Sequence, residues 1–132
     1  LGSYVVRRLL ENKMPFIALK RKDSDISFLE DVQDAINWKE ADVTDPDSLV
    51  EVFTGASGVI HAAALVSYHQ QDAALMKAVN VVGTRNVVNA CLTTGVRRLL
   101  HVSSVAAIGK EKEQKVVDEG NKWIEGSIVS NY

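Results

Sequence analysis

The sequence predicts an α/β fold built on a parallel sheet. Three observations predict it. Helical and strand-like stretches alternate from Ser3 to Ser104, the links between them are short, and the strand-like runs are mostly apolar. Strict alternation with short links is how parallel strands joined by crossover helices read in a sequence. Apolar runs without alternation mark strands covered on both faces. With 132 residues, 46% of them hydrophobic and 24% charged, the chain can form one domain with a core. A net charge of −2 offers no basic face for nucleic acid. No apolar run approaches the roughly 18 residues of a membrane span. Cys91, the single cysteine, cannot close an intramolecular disulfide, which fits a reducing, cytoplasmic setting.

Each element has its own signal. Ser3 to Asn12 carries Val5, Val6, Leu9 and Leu10 on a helical stripe between Arg7, Arg8 and Glu11. "PFIALK" (15–20) is a short apolar run entered by Pro15, which a strand start tolerates. Asp23 to Val32 predicts a short helix. "INWKEADV" (36–43) predicts the second strand. "TDPDSLVEVF" predicts a helix with Thr44 as N-cap, Pro46 in the first turn, and Asp45 and Asp47 at the positive helix end. Gly55 stops it. "SGVIHAAA" (57–64) predicts a third strand. Leu75, Ala78, Val79, Val82, Val87 and Ala90 recur at helical spacing, predicting a long helix from Asp72 to Thr93 with Gly95 as its C-terminal glycine. "VRRLLHVSS" (96–104) predicts a fourth strand. Beyond Gly109 the sequence turns polar and loop-like. There is no internal repeat and no linker.

Four stretches in order resemble the extended branch of the short-chain dehydrogenase/reductase family. They are "LGS", "ADVTD", "VIHAAA" with "NVVGTRNVV", and "HVSSVAAIG" with the closing "SNY". "HAAA", "ALKR" and "HVSSVAAIG" look most like the hydroxysteroid dehydrogenase and dihydroflavonol reductase-like group within it. The resemblance implies a Rossmann-type, doubly wound parallel sheet that binds a dinucleotide at the carboxyl ends of its strands. In that family a first strand ends in a glycine-rich turn, G-x-x-G-x-x-G, opening the first helix. Gly2 matches the third glycine and Leu1 the residue before it. The sequence is therefore expected to be a partial dinucleotide-binding domain, residues 1–132, lacking the first strand and the C-terminal substrate region. The strands at 15–20 and 36–43 are then expected to have no neighbour on the side facing 57–62.

The same resemblance assigns roles residue by residue. Leu1 and Gly2 belong to the pyrophosphate turn, with Gly2 also serving close helix–strand packing. Lys20 and Arg21 stand at the end of the second family strand, where an acid selects NAD and a base accommodates the 2′-phosphate of NADP. No carboxylate appears there until Asp23, and Arg suits bidentate phosphate contacts. Asp42 and Val43 hold the adenine, through its exocyclic amine and its ring face. Ala62, Ala63 and Ala64 line the cofactor trench. Asn80 bonds backbone near the active site and orders the strand ends. Ser103 lies beside the nicotinamide. Ser104 is the catalytic serine, and Tyr132 opens the Y-x-x-x-K signature whose lysine falls beyond the last residue. No G-x-S-x-G elbow surrounds Ser104, which excludes a hydrolase nucleophile.

Two residues invite other readings. His61 suggests a metal or a base, but only three histidines occur and no Cys or carboxylate stands at ligand spacing, so no metal site is expected. A strand-end packing role is expected instead. Cys91 is expected to be a buried structural thiol, since nothing nearby lowers its pKa.

The function these residues imply is an NADP-dependent oxidoreductase interconverting a carbonyl and a secondary alcohol. A nucleotide-sugar epimerase or dehydratase with bound NAD stays open as an alternative, as does a non-catalytic NAD(P)-sensing protein. The expected partner is a small-molecule substrate, with a homodimer as the assembly; neither nucleic acid nor membrane is expected.

Overall fold

The structure, a computed structural model, describes residues 1–107, 116 and 118–121. Helix α1 spans Gly2–Glu11, strand β1 Ala18–Lys20, a 3-10 helix Ser27–Ala35, β2 Trp38–Glu40, α2 Pro46–Phe53 and β3 Gly58–His61. A long composite helix follows. It begins as a 3-10 turn at Gln70–Asp72, continues as α3 (Ala73–Met76), widens to π geometry over Lys77–Gly83, and ends as α4 (Thr84–Thr94). Strand β4 is Arg98–His101, and a last 3-10 turn is Val105–Ala107.

The strands are parallel, as expected, and form two separate pairs, β1 with β2 and β3 with β4. Ala18 sits opposite Trp38, and His61 opposite His101. No described strand joins the pairs, so β1 and β3 are not hydrogen-bonded to each other. The hydrogen-bonded strands are shorter than the apolar runs that announce them, because backbone pairing, not hydrophobicity, sets their ends.

Each pair has its own core on one face. Ala18, Leu29 and Ile36 are buried together, with Val6 and Leu10 of α1 and Trp38 of β2 against them. Arg7 locks α1 to the 3-10 helix by two bonds of 2.7 Å to Asp31 and one of 2.8 Å to the Phe28 carbonyl. The second core joins Leu49 and Phe53 of α2 to Val87, Ala90 and Cys91 of α4, laid over Val59 and Leu99. Ala41 and Val43, just past β2, also pack against this second core and so connect the two halves. On the far face of the second pair Ile60 is 45% exposed and Leu100 55%. Of the two faces that "SGVIHAAA" is expected to have covered, the described residues cover one.

Local chemistry explains the helix ends. Asp45, not Thr44, caps α2: its carboxylate accepts from the Asp47 and Ser48 amides at 3.2 and 3.4 Å. Thr44 instead turns its hydroxyl to Asp42. Gly95 closes α4 in the left-handed region at φ 72°, where a side chain is disfavoured. The expected helix from Asp72 to Thr93 is present but not uniform, since its middle is π-helical. Gly2 is the first residue of α1, but a Cβ added there would meet no atom within 4 Å. Among the described residues, no element lies against Gly2.

Candidate functional site

The carboxyl ends of the four strands carry Lys20, Arg21, Asp42, Val43, the alanines at 62–64, Ser103 and Ser104, whereas Leu1 and Gly2 open α1 and Asn80 lies in the π-helical stretch. Lys20 ends β1, and its carbonyl accepts from Ala41 N–H at 3.1 Å. Arg21 opens a turn held by two bonds with Ser24: the Arg21 amide donates to Ser24 Oγ at 3.0 Å, and the Ser24 amide to the Arg21 carbonyl at 3.1 Å. The turn is fixed by its backbone, while the Arg21 residue is exposed.

Asp42 is oriented from its own loop. Its Oδ1 accepts from the Thr44 amide at 2.8 Å and the Thr44 hydroxyl at 2.7 Å, and its amide donates to Ser48 Oγ at 3.2 Å. The two Thr44 bonds hold the carboxyl below the usual carboxylate range, and Arg21 adds a weaker attraction. Asp42 is therefore an ionised, aimed acceptor, and Arg21 lies near enough to act on it.

Past β3 the chain narrows to small side chains. Ala62 is half-buried, and Ala63 and Ala64 are exposed. Asn80 fixes the next segment by a two-way bond to Leu65: its Oδ1 accepts from the Leu65 amide and its Nδ2 donates to the Leu65 carbonyl, both at 2.8 Å. The side-chain amide is thus engaged with backbone. Ser103 is exposed, Ser104 is half-buried, and the Ser104 carbonyl accepts from Ala107 N–H at 2.9 Å. Leu1 and Gly2 are exposed at the start of α1, where the Leu1 carbonyl accepts from the Tyr4 and Val5 amides at 3.0 and 3.1 Å. Tyr132 lies outside the described residues.

His61 is a packed strand-end residue. It is 4% exposed, its Nε2 shares a hydrogen bond of 3.0 Å with Thr84 Oγ1, and its ring stacks on His101 at 5.2 Å between centroids. Burial, then the neighbouring His101, pushes its pKa down. Among the described residues no group of three or more His, Cys, Asp or Glu could hold a metal. Cys91 is buried, and burial pushes its thiol pKa up. Among the described residues no helix is long and apolar enough to cross a membrane.

The His61 environment has a measurable consequence. An unfolded histidine takes up its proton near pH 6.5, while the folded imidazole stays neutral to lower pH. Between those two values the unfolded state binds more protons, so stability falls as pH drops through that window. Thermal melts of wild type and His61→Phe from about pH 8 to about pH 5 are expected to show the acid slope flattened in the variant. An unchanged slope would locate the titration elsewhere.

Sequence reasoning missed Thr84 as the partner of His61, and it missed Asn86, whose Nδ2 donates to the Val43 carbonyl at 2.9 Å. A signal for Asn86 was present. It falls at helical spacing with Gly83, Val87 and Ala90, all buried, and a polar side chain on such a face needs a partner.

The chain resembles known proteins in sequence and in fold. The chain is 35% identical over 131 residues to a putative dihydroflavonol 4-reductase of Synechocystis sp., covering 99% of this chain and 37% of that protein. It is 32% identical over 127 residues to human 3 beta-hydroxysteroid dehydrogenase type 7, covering 92% of this chain and 34% of that one. The chain thus spans about a third of the length of these relatives. Its fold matches the crystal structure of the Bordetella bronchiseptica enzyme WbmH in complex with NAD+, with a TM-score of 0.79 at 21% identity, over 99% of this chain and 44% of that one. The model of one family, the 3-beta hydroxysteroid dehydrogenase/isomerase family, matches residues 1–130. By that match the chain belongs to the 3-beta hydroxysteroid dehydrogenase/isomerase family, within the extended short-chain dehydrogenases/reductases.

Proposed function

We propose that this chain is the dinucleotide-binding part of an NADP-dependent oxidoreductase that interconverts a carbonyl and a secondary alcohol on a small molecule. The observation that carries the proposal is the set of residues that stand at the strand ends. A basic pair, Lys20 and Arg21, is followed by an ionised, oriented Asp42 beside Val43, then by small residues at 62–64, then by Ser103 and Ser104. Relatives named as a reductase and a hydroxysteroid dehydrogenase support the reaction class. An NAD+ complex among the structures of the same fold supports a dinucleotide.

The residues present fit such a cofactor. Asp42 offers a fixed acceptor for an exocyclic amine, and the half-buried Val43 stands next to it. Ala63 and Ala64 leave room for a close approach. Arg21, exposed on a fixed turn, suits a 2′-phosphate. Leu1 and Gly2 take the pyrophosphate turn. When bound, the nicotinamide supplies or accepts the hydride. Ser104 donates a hydrogen bond to the reacting oxygen, and Tyr132 moves its proton. The domain boundary we propose is that residues 1–132 form part of one such domain, acting as a homodimer in the cytoplasm.

The test is direct. The intact protein, mixed with NADPH and a panel of ring ketones and aromatic ketones, is expected to show ketone-dependent loss of the reduced-nicotinamide absorbance. NADPH bound without turnover on any carbonyl would support the non-catalytic alternative instead.

A further inference from the structure

The loop after β2 is gripped from outside as well as from within. Val43 has its carbonyl taken by Asn86 Nδ2 at 2.9 Å. Its side chain rests on the bare backbone of Gly83: a Cβ built there would stand 2.7 Å from Val43 Cγ2 and 3.0 Å from Val43 Cβ. Asn86 lies three residues beyond Gly83, on the same face of the helix. The two contacts hold the two sides of one residue, backbone and side chain. The inner half of the grip is the Asp42–Thr44–Ser48 set of bonds described above.

From this arrangement we infer that Gly83 and Asn86 form a clamp that sets the position of the adenine-binding wall, with Asn86 a positioning residue acting through Val43. The inference rests on the dinucleotide reading proposed above. Its chemistry is specific. Held by Asn86 and Gly83, the half-buried Val43 keeps one fixed position beside the Asp42 carboxylate, and the part of it left open is what a ligand would meet. A flat base with an amine donor matches that pair. The same helix holds Leu65, past β3, through Asn80. One helix therefore holds both the loop after β2 and the segment after β3. The π-helical stretch Lys77–Gly83 includes both Asn80 and Gly83, and such widened turns recur at functional sites.

Gly83→Ala is diagnostic. At an unconstrained helix position alanine is the better helix former. Here the new Cβ collides with Val43 and must displace it. Asn86→Leu keeps the bulk of Asn86 and deletes the donor; Asn86→Ser retains a shorter donor and is the milder change if Asn86→Leu does not fold.

The experiment uses the intact protein and two readouts. The first is amide hydrogen exchange of the 42–45 segment without ligand. The second is calorimetric titration with ADP and, separately, with nicotinamide mononucleotide. Asn86→Leu is expected to speed exchange at 42–45 and to weaken ADP about fivefold, the scale of one neutral hydrogen bond. Gly83→Ala is expected to weaken ADP at least as much. Asn86→Ser is expected to fall between wild type and Asn86→Leu. Nicotinamide mononucleotide affinity is expected to stay within about twofold in all three. Equal losses for both half-cofactors would indicate a merely structural role and overturn the inference. So would wild-type ADP affinity and wild-type exchange in the variants. A wild-type protein that bound neither ADP nor NADPH would instead remove the dinucleotide reading, and this inference with it.

Discussion

Tyr132→Phe is expected to lower kcat of the intact protein by about 100-fold or more, the scale of a lost general acid/base, while NADPH affinity changes little. Hydride transfer to a carbonyl leaves charge on its oxygen, which must be protonated; the reverse reaction needs that proton removed. An unperturbed phenol has a pKa of about 10, too high for an effective base near neutrality. It needs a cation at its side. The Y-x-x-x-K signature that Tyr132 resembles supplies a lysine one helical turn away. In the proposed mechanism Ser104, beyond the carboxyl end of β4, would donate to the same oxygen and stabilise its developing charge. Ser104→Ala is expected to lose less than Tyr132→Phe. Stopped-flow measurement of NADPH oxidation at saturating ketone separates the chemical step from binding. Retention of most of the turnover by Tyr132→Phe would remove it from the mechanism.

Arg21→Ala is expected to weaken NADP(H) about tenfold to hundredfold while leaving NAD(H) nearly unchanged. A hydrogen bond between a guanidinium and a phosphate is charge-assisted and is worth about 1.5–3 kcal/mol. NADP carries the 2′-phosphate that such a bond requires; NAD does not. Arg21 is exposed and its turn is fixed by Ser24, so the substitution removes a charge without disturbing the backbone that presents it. Parallel titrations of wild type and variant with NADPH and NADH read the effect. Equal losses for both, or a wild-type preference for NADH, would reassign the chain to NAD and favour the epimerase or dehydratase alternative.

The order of elements was legible because helical and strand periods differ and because turn residues mark the breaks. Gly95 stands where a helix must reverse, and its positive φ follows from that. Other details depend on partners that a local pattern does not encode. Thr44 and Asp45 are both good caps, and the choice fell to Asp45 because the Thr44 hydroxyl is engaged by Asp42. The π-helical stretch near Asn80 departs from an α-helix by too little to alter the apolar period. Gly2 matches a packing glycine by position, and packing needs a neighbour that the described residues do not include.

The site divided in the same way. The family resemblance singled out Asp42, Ala62, Ala63, Ala64, Ser103 and Ser104, and the structure places each of them just past the end of a strand, where an open α/β sheet collects ligands. Asn80 was legible as a polar residue within a largely apolar helix, though its particular partner, Leu65, was not. Asn86 was missed because its partner, Val43, is distant in sequence and becomes adjacent only when α4 crosses the end of β2.

The central claim is that the carboxyl ends of β1 to β4 hold the dinucleotide. A crystal structure of the intact protein with NADP tests it most directly. The account predicts the 2′-phosphate at Lys20 and Arg21, the adenine amine on Asp42 with its ring on Val43, and the nicotinamide near Ser103 and Ser104. A dinucleotide bound elsewhere, or an adenine that touches neither Asp42 nor Val43, would contradict it.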